Sequence, residues 1–166
     1  MEFNRDASGH LEPLSMQSVD TGMGMERITT ILQGKTTVYD TDLFTPLLRA
    51  IESASGQTWS SAERRIDLQV IADHMRSLTF VLSEGGQFSN EGRGYVLRRI
   101  LRRAVRHGRR LGFDQPFLHK LVPAVAEQFE EIYELPDTVI GNTAEALEQE
   151  EFRFFRTIDR GMSRIS

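Results

Sequence analysis

From Met25 onward, apolar residues recur every three or four positions, the spacing of helices that turn one face to a core. The runs break at Gly34, at Gly56, at Gly85-Gly86, between Gly112 and Pro116, and around Pro136, so the pattern predicts five or six helices. Ser60-x-x-Glu63 reads as a capping box opening a long helix through Ile66, Val70, Ile71 and Leu78. Asp114, just before Pro116, reads as another start signal. The beginning of the chain differs: Phe3, the turn-forming Asp6-Ala7-Ser8-Gly9, then Leu11 and Leu14 predict two short strands. A lone hairpin is marginal in water, so these strands read as the edge of a larger sheet. With no internal repeat and no low-complexity linker, the fold class is mainly α, a helical bundle preceded by a short β-hairpin. Residues 1–37 form one portion and residues 38–166 a single packed helical unit.

The segment from Arg93 to Arg110 sharpens this picture. On a helical wheel, Val96, Leu97, Ile100, Leu101, Ala104 and Val105 cover one half, and Arg98, Arg99, Arg102, Arg103, Arg106, Arg109 and Arg110 the other. The first half suits a core, while a ladder of guanidinium forks suits phosphates, which makes RNA the candidate partner. The alternative is that the arginines pair with the acidic stretch from Glu127 to Glu151 in a salt-laced bundle. Arginines at i, i+4 spacing repel one another by a few tenths of a kcal/mol per pair, so either reading needs an anion opposite them.

Charge and composition narrow the possibilities. The net charge of −4 over 166 residues conceals a dipolar chain: eight arginines and no acid lie between Arg93 and Arg110, against nine acids and no lysine or arginine between Glu127 and Glu151. Cysteine is absent, so disulfides and thiolate metal sites are excluded. No apolar run approaches the roughly 18 residues of a membrane span, and the N-terminus does not resemble a signal peptide, so a cytoplasmic protein is expected. His10, His74, His107 and His119 are scattered, and no protein-bound zinc is expected. Asp73-His74 reads as a buried polar packing element, and Phe152, Phe154 and Phe155 as core-facing aromatics of a last helix. Asn90, just before the arginine segment, reads from its position as an N-cap.

The chemistry-bearing stretch is Val19-Asp20-Thr21-Gly22-Met23-Gly24-Met25-Glu26-Arg27. Gly22 and Gly24 allow positive φ or close approach of a ligand, and Arg27, on the first helical turn, presents a flat cation for stacking or phosphate pairing. On these residues alone, an ordinary turn with Asp20 as an N-cap fits as well as a ligand site. The stretch resembles the third signature motif of class II aminoacyl-tRNA synthetases, in the form typical of the alanyl-tRNA synthetase family. The likeness extends to Glu2-Phe3-Asn4-Arg5-Asp6 with Leu11-Glu12-Pro13-Leu14, to Tyr39-Asp40-Thr41-Asp42-Leu43-Phe44, to Ile71-Ala72-Asp73-His74-Met75-Arg76, and to Ser89-Asn90-Glu91-Gly92-Arg93 with the helix that follows.

This resemblance implies a ligase that activates alanine with ATP and Mg²⁺ and transfers it to the tRNA 3′ end. Asp20 would then bind the alanine ammonium, Gly22 leave room for its small side chain, and Gly24 and Arg27 contact ATP, with no dedicated general base. The helical unit becomes a tRNA-recognition domain. Asn90 approaches the G·U wobble pair of the alanine tRNA acceptor stem, and Arg93, Arg98, Arg99, Arg102, Arg103 and Arg106 face the RNA. Residues 1–37 become the C-terminal end of the catalytic domain. The first two motifs of the class and the editing and C-terminal domains have no counterpart in these 166 residues, so the resemblance implies half an active site and no aminoacylation by the chain alone. A free-standing RNA-binding module and a helical protein-interaction domain are the alternatives, with oligomeric state open.

Overall fold

A computed structural model describes residues 2–162. Strands β1 (Phe3–Arg5) and β2 (Leu11–Pro13) pair antiparallel, with Phe3 opposite Pro13, Asn4 opposite Glu12 and Arg5 opposite Leu11. Their turn is built by Asp6, whose carboxylate accepts from the Ser8 amide at 2.8 Å and the His10 amide at 2.9 Å, while Gly9 supplies φ of +89°. Both strands are exposed, and residues 15–24 follow without regular structure.

Six helices follow among the described residues: α1 (Met25–Leu32), α2 (Thr45–Ser55), α3 (Ala62–Ser83), α4 (Gly92–Leu111), α5 (Val122–Phe129) and α6 (Asp137–Met162). They end where the glycine and proline breaks predict; Gly56 and Gly112 close α2 and α4 in the left-handed conformation. Two start signals are corrected. The N-cap of α3 is Ser61 and not Ser60, whose hydroxyl is taken by Thr58 at 2.9 Å, so no side-chain capping box forms. Asp114 caps nothing; the chain re-enters helix through a 3-10 turn, Leu118–Leu121, preceded by Phe117.

The core is assembled from one face of each later helix. Leu47, Leu48 and Ile51 of α2 meet Leu68, Ile71, Met75 and Leu78 of α3, Leu101, Ala104 and Val105 of α4, Val122, Val125 and Phe129 of α5, and Leu147 and Phe155 of α6. Helices α3 and α4 form the most extensive pair, running antiparallel, with buried Asp67 near the start of α3 held by His107 Nδ1 at 2.7 Å and Arg110 Nε at 3.4 Å near the end of α4. Gly108 is required there because a Cβ would lie 2.3 Å from the Phe117 ring. By contrast, α1 buries no residue and leaves Ile31 and Leu32 exposed. It is tied back by Glu26, which pairs with Arg76 of α3 at 3.0 Å, and by Gln33, which accepts from the Asp42 amide at 3.2 Å.

The 3-10 turn takes its N-cap from another helix. Glu151 of α6, fully buried, accepts from the amides of Phe117 at 3.2 Å and Leu118 at 3.0 Å. Burial pushes its carboxyl up to about 7, against the opposing pull of these amides and that of His119. A raised carboxyl favours folding while it keeps its proton. Stability is therefore fully present below the ordinary value of 4.5 and falls as pH rises through about 7, by on the order of 3 kcal/mol. Urea unfolding at several pH values should show this decline, and Glu151→Gln should remove it.

Candidate nucleic-acid interface

Helix α4 divides its arginines three ways, where the wheel places them on one half. Leu97, Leu101, Ala104 and Val105 face the core. Arg98 turns inward to α6, its Nε 2.7 Å from Glu150 Oε1 and its Nη2 donating to Oε2 at 3.2 Å. Arg102 lies 5.3 Å above the Phe154 ring and Arg109 5.5 Å above Phe155, while Arg110 reaches Asp67. Arg93, Arg99, Arg103 and Arg106 remain exposed, with no carboxylate within 4 Å among the described residues. The resemblance counts Arg98 and Arg102 with the RNA-facing arginines; in the structure their charged ends belong first to α6.

The exposed arginines frame a groove. Arg99, Arg103 and Arg106, with Arg102 and Phe154 at one side and His74 of α3 at the other, surround a cavity of about 610 Å³ that Val96 and Ile100 also line. Val96, expected in the core, is 52% exposed because it stands at the groove's edge. Asp73 and His74 are corrected as well: Ala72 and Met75 take the core-facing positions of α3, leaving Asp73 exposed and His74 on the flank. Their side chains meet at 3.2 Å, and this bond holds the Asp73 carboxyl below its usual range. Of the three aromatics of α6, Phe155 is buried and Phe154 half-buried against Arg102, but Phe152 is exposed.

Asn90 is not the cap of α4. Glu91 holds that position, without a side-chain cap bond, and Asn90 Oδ1 instead accepts from Arg98 Nη1. It thus stands beside the N-terminal end of the groove-forming helix. The acidic stretch does not cover this face. Glu127, Glu130, Glu134 and Asp137 line a separate cleft at the start of α6, Glu148 and Glu151 lie 3.7 Å from the two ring nitrogens of His119, and Glu150 reaches α4. The salt-laced alternative therefore describes Arg98 and leaves the exposed arginines unexplained.

The Asp20 to Arg27 stretch is open. Asp20, Gly22, Gly24 and Arg27 are all exposed. Gly24 adopts φ of +81° as the N-cap of α1, whereas Gly22 does not use the left-handed region. The side chain fixed most firmly is Glu26: Arg76, which grips it, is stacked over Phe44 at 4.5 Å and Phe129 at 5.3 Å. The functional reading of the sequence did not single out Arg76, Glu150 or Asp67, whose signal is only a charge at a core-facing register. Among the described residues, no group of three or more histidines or carboxylates is placed to hold a metal ion. Nor is any helix long and apolar enough to cross a membrane.

Comparison with known proteins gives a consistent result. The family described as tRNA synthetases class II (A) matches over residues 1–166. An alanine–tRNA ligase of Acidithiobacillus ferridurans is 52% identical over 165 residues, covering 98% of this chain and 19% of the relative. Those of Magnetococcus marinus and Thermotoga maritima are 47% and 46% identical, covering 99% and 97% of this chain and 19% of each relative. The chain thus spans about a fifth of the length of the curated relatives it matches.

The division of the arginines has a measurable consequence. Arg98→Ala leaves buried Glu150 without its main partner and should lower stability by about 3–5 kcal/mol. Arg99→Gln, Arg103→Gln and Arg106→Gln should each stay within about 0.5 kcal/mol of the parent. Denaturant unfolding monitored by circular dichroism checks both.

Proposed function

Since this chain belongs to the family of class II tRNA synthetases (A), we propose that it is part of an alanine–tRNA ligase of the cytoplasm, and that these 166 residues carry recognition of the tRNA(Ala) acceptor stem. The observation that carries this reading is the groove of α4, where Arg99, Arg103 and Arg106 make no ion pair within 4 Å among the described residues and Arg93 and Asn90 continue the surface at its N-terminal end. Guanidiniums neutralise backbone phosphates without reading sequence. Asn90 offers an amide to the shallow groove of an RNA helix, the side on which a wobble pair is distinguished. The residues on either side of position 37 then serve different substrates, yet the Glu26–Arg76 pair crosses between them.

In the same proposal, the whole ligase joins the alanine carboxylate to the α-phosphate of ATP, releasing pyrophosphate, and then passes the alanyl group to a hydroxyl at the tRNA 3′ end. Asp20 would hold the alanine ammonium by charge, Gly22 and Gly24 would let the ligands approach the backbone, and Arg27 would stack on adenine or neutralise phosphate. These are positional and electrostatic roles. Their exposure here supports the view that they form one wall of a site whose opposite wall lies elsewhere in the enzyme.

Two measurements test the reading. A fluorescent acceptor-stem hairpin should bind with a log-log salt slope of about −3 to −4, as expected for about four phosphate contacts, and each Gln substitution at Arg99, Arg103 or Arg106 should reduce that slope by roughly one. A slope indifferent to all three would defeat it. The 166 residues alone should show no alanine-dependent ATP–pyrophosphate exchange above background.

A further inference from the structure

On the reading that Asn90 faces RNA, we propose that Arg98 and Glu150 are positioning residues for recognition: Glu150 fixes the fork of Arg98, and Arg98 fixes the amide of Asn90 so that its N–H donors meet the RNA. Arg98 is thereby moved from the set of phosphate contacts to the support of a specificity-determining residue.

The argument begins with what a guanidinium can do. Arginine only donates hydrogen bonds, so the atom of Asn90 that faces Arg98 Nη1 is the carbonyl oxygen. Nδ2, with two donors, is left to the other side, and it has no hydrogen-bond partner among the described residues. Arg98 can impose this orientation because its own position is held from the opposite side. Its side chain is 15% exposed and that of Glu150 is 4% exposed; Nη2 donates to Oε2 at 3.2 Å, and Nε lies 2.7 Å from Oε1 as an ion pair without hydrogen-bond geometry. The loop is pinned too. A Cβ at Gly94 would lie 2.4 Å from the Gln87 carbonyl oxygen and 2.5 Å from Ser89 Oγ, so the first turn of α4 presses directly on the segment that carries Asn90. Backbone contact places this residue, and a fork anchored in the core sets the rotation of its amide.

This relay separates two properties that a row of phosphate-binding arginines would mix. Loss of a phosphate contact changes affinity and salt dependence for every stem alike. Loss of a positioning contact should instead erode the preference that Asn90 confers and leave the salt slope in place.

The test measures binding of the 166-residue protein to two acceptor-stem hairpins, one with a G·U pair and one with G·C at that position, across a salt series. Arg98→Lys keeps a cation for Glu150, but a single ammonium cannot reproduce the fork that spans Glu150 and Asn90. It should lose most of the G·U preference, as Asn90→Ala does, with the salt slope unchanged, and should add nothing in the Asn90→Ala background. Because a buried charge can compromise folding, the paired change Arg98→Met with Glu150→Leu removes both charges together and should have the same effect. If both variants keep the full preference while Asn90→Ala loses it, or if their effects add to that of Asn90→Ala, the relay is overturned and the role of Asn90 stands. If the parent shows no preference, or keeps it in Asn90→Ala, the reading of Asn90 falls and the relay with it.

Discussion

Eight arginines on one helix are an electrostatic problem before they are a binding surface. Like charges at i, i+4 repel, and a helix that must also bury Leu97, Leu101, Ala104 and Val105 cannot rotate to relieve them. Much of the molecule's arrangement around α4 answers this constraint. Helix α6 runs in the same direction as α4, so Glu150 meets Arg98 and, four residues on, Phe154 meets Arg102. On its adjacent face, Glu151 caps the 3-10 turn and Phe155 lies beneath Arg109. At the far end Asp67 engages His107 and Arg110. The cations that the fold leaves over are the ones that ring the groove. The basic groove is thus what remains after internal neutralisation, which is why a chain of net charge −4 can present a strongly basic face.

Helix α3 distributes these relationships. Asp67 fixes it to α4, His74 gives one wall of the groove, and Arg76, one position beyond Met75 of the core, reaches Glu26 of α1. The Arg76 guanidinium is costly to hold at low exposure, and the stacked rings of Phe44 and Phe129 with one carboxylate offset that cost. Few other contacts hold α1, whose apolar residues otherwise face outward. The same helix therefore bears on both the basic groove and the segment that begins with Asp20.

Helix number and breakpoints were legible in the sequence because glycine and proline act locally, through φ and through the missing amide, whatever surrounds them. The core faces were legible for a similar reason, since period and hydrophobicity suffice. What failed was pairing information. Ser60 satisfies a capping pattern, but Thr58 competes for its hydroxyl. Glu151 acts as a cap 33 residues away from Leu118, a distance no local pattern spans. The wheel placed Arg98 and Arg99 side by side, yet one is gripped by α6 and the other is free, because a wheel gives an angle and not a neighbour. Val96 went astray in the same way: an apolar residue on the core half can still stand at the lip of a groove.

The Asp20 to Arg27 stretch identified the family and is nonetheless the least self-sufficient part of the structure. Its information is chemical, a carboxylate, two glycines and an arginine in fixed order, and a local motif keeps that information even where nothing is folded around it. A groove is different, since it exists only when three helices are packed. Residues 38–162 carry the packed core and so build their own surface, whereas the exposed hairpin and the outward apolar face of α1 leave the motif without a wall opposite it. This asymmetry in burial supports the proposal that the helical unit carries recognition while the motif needs more of the enzyme to complete its site. Glu26 and Arg76 are then the contact through which the two must keep register, because they join the helix of the motif to a wall of the groove.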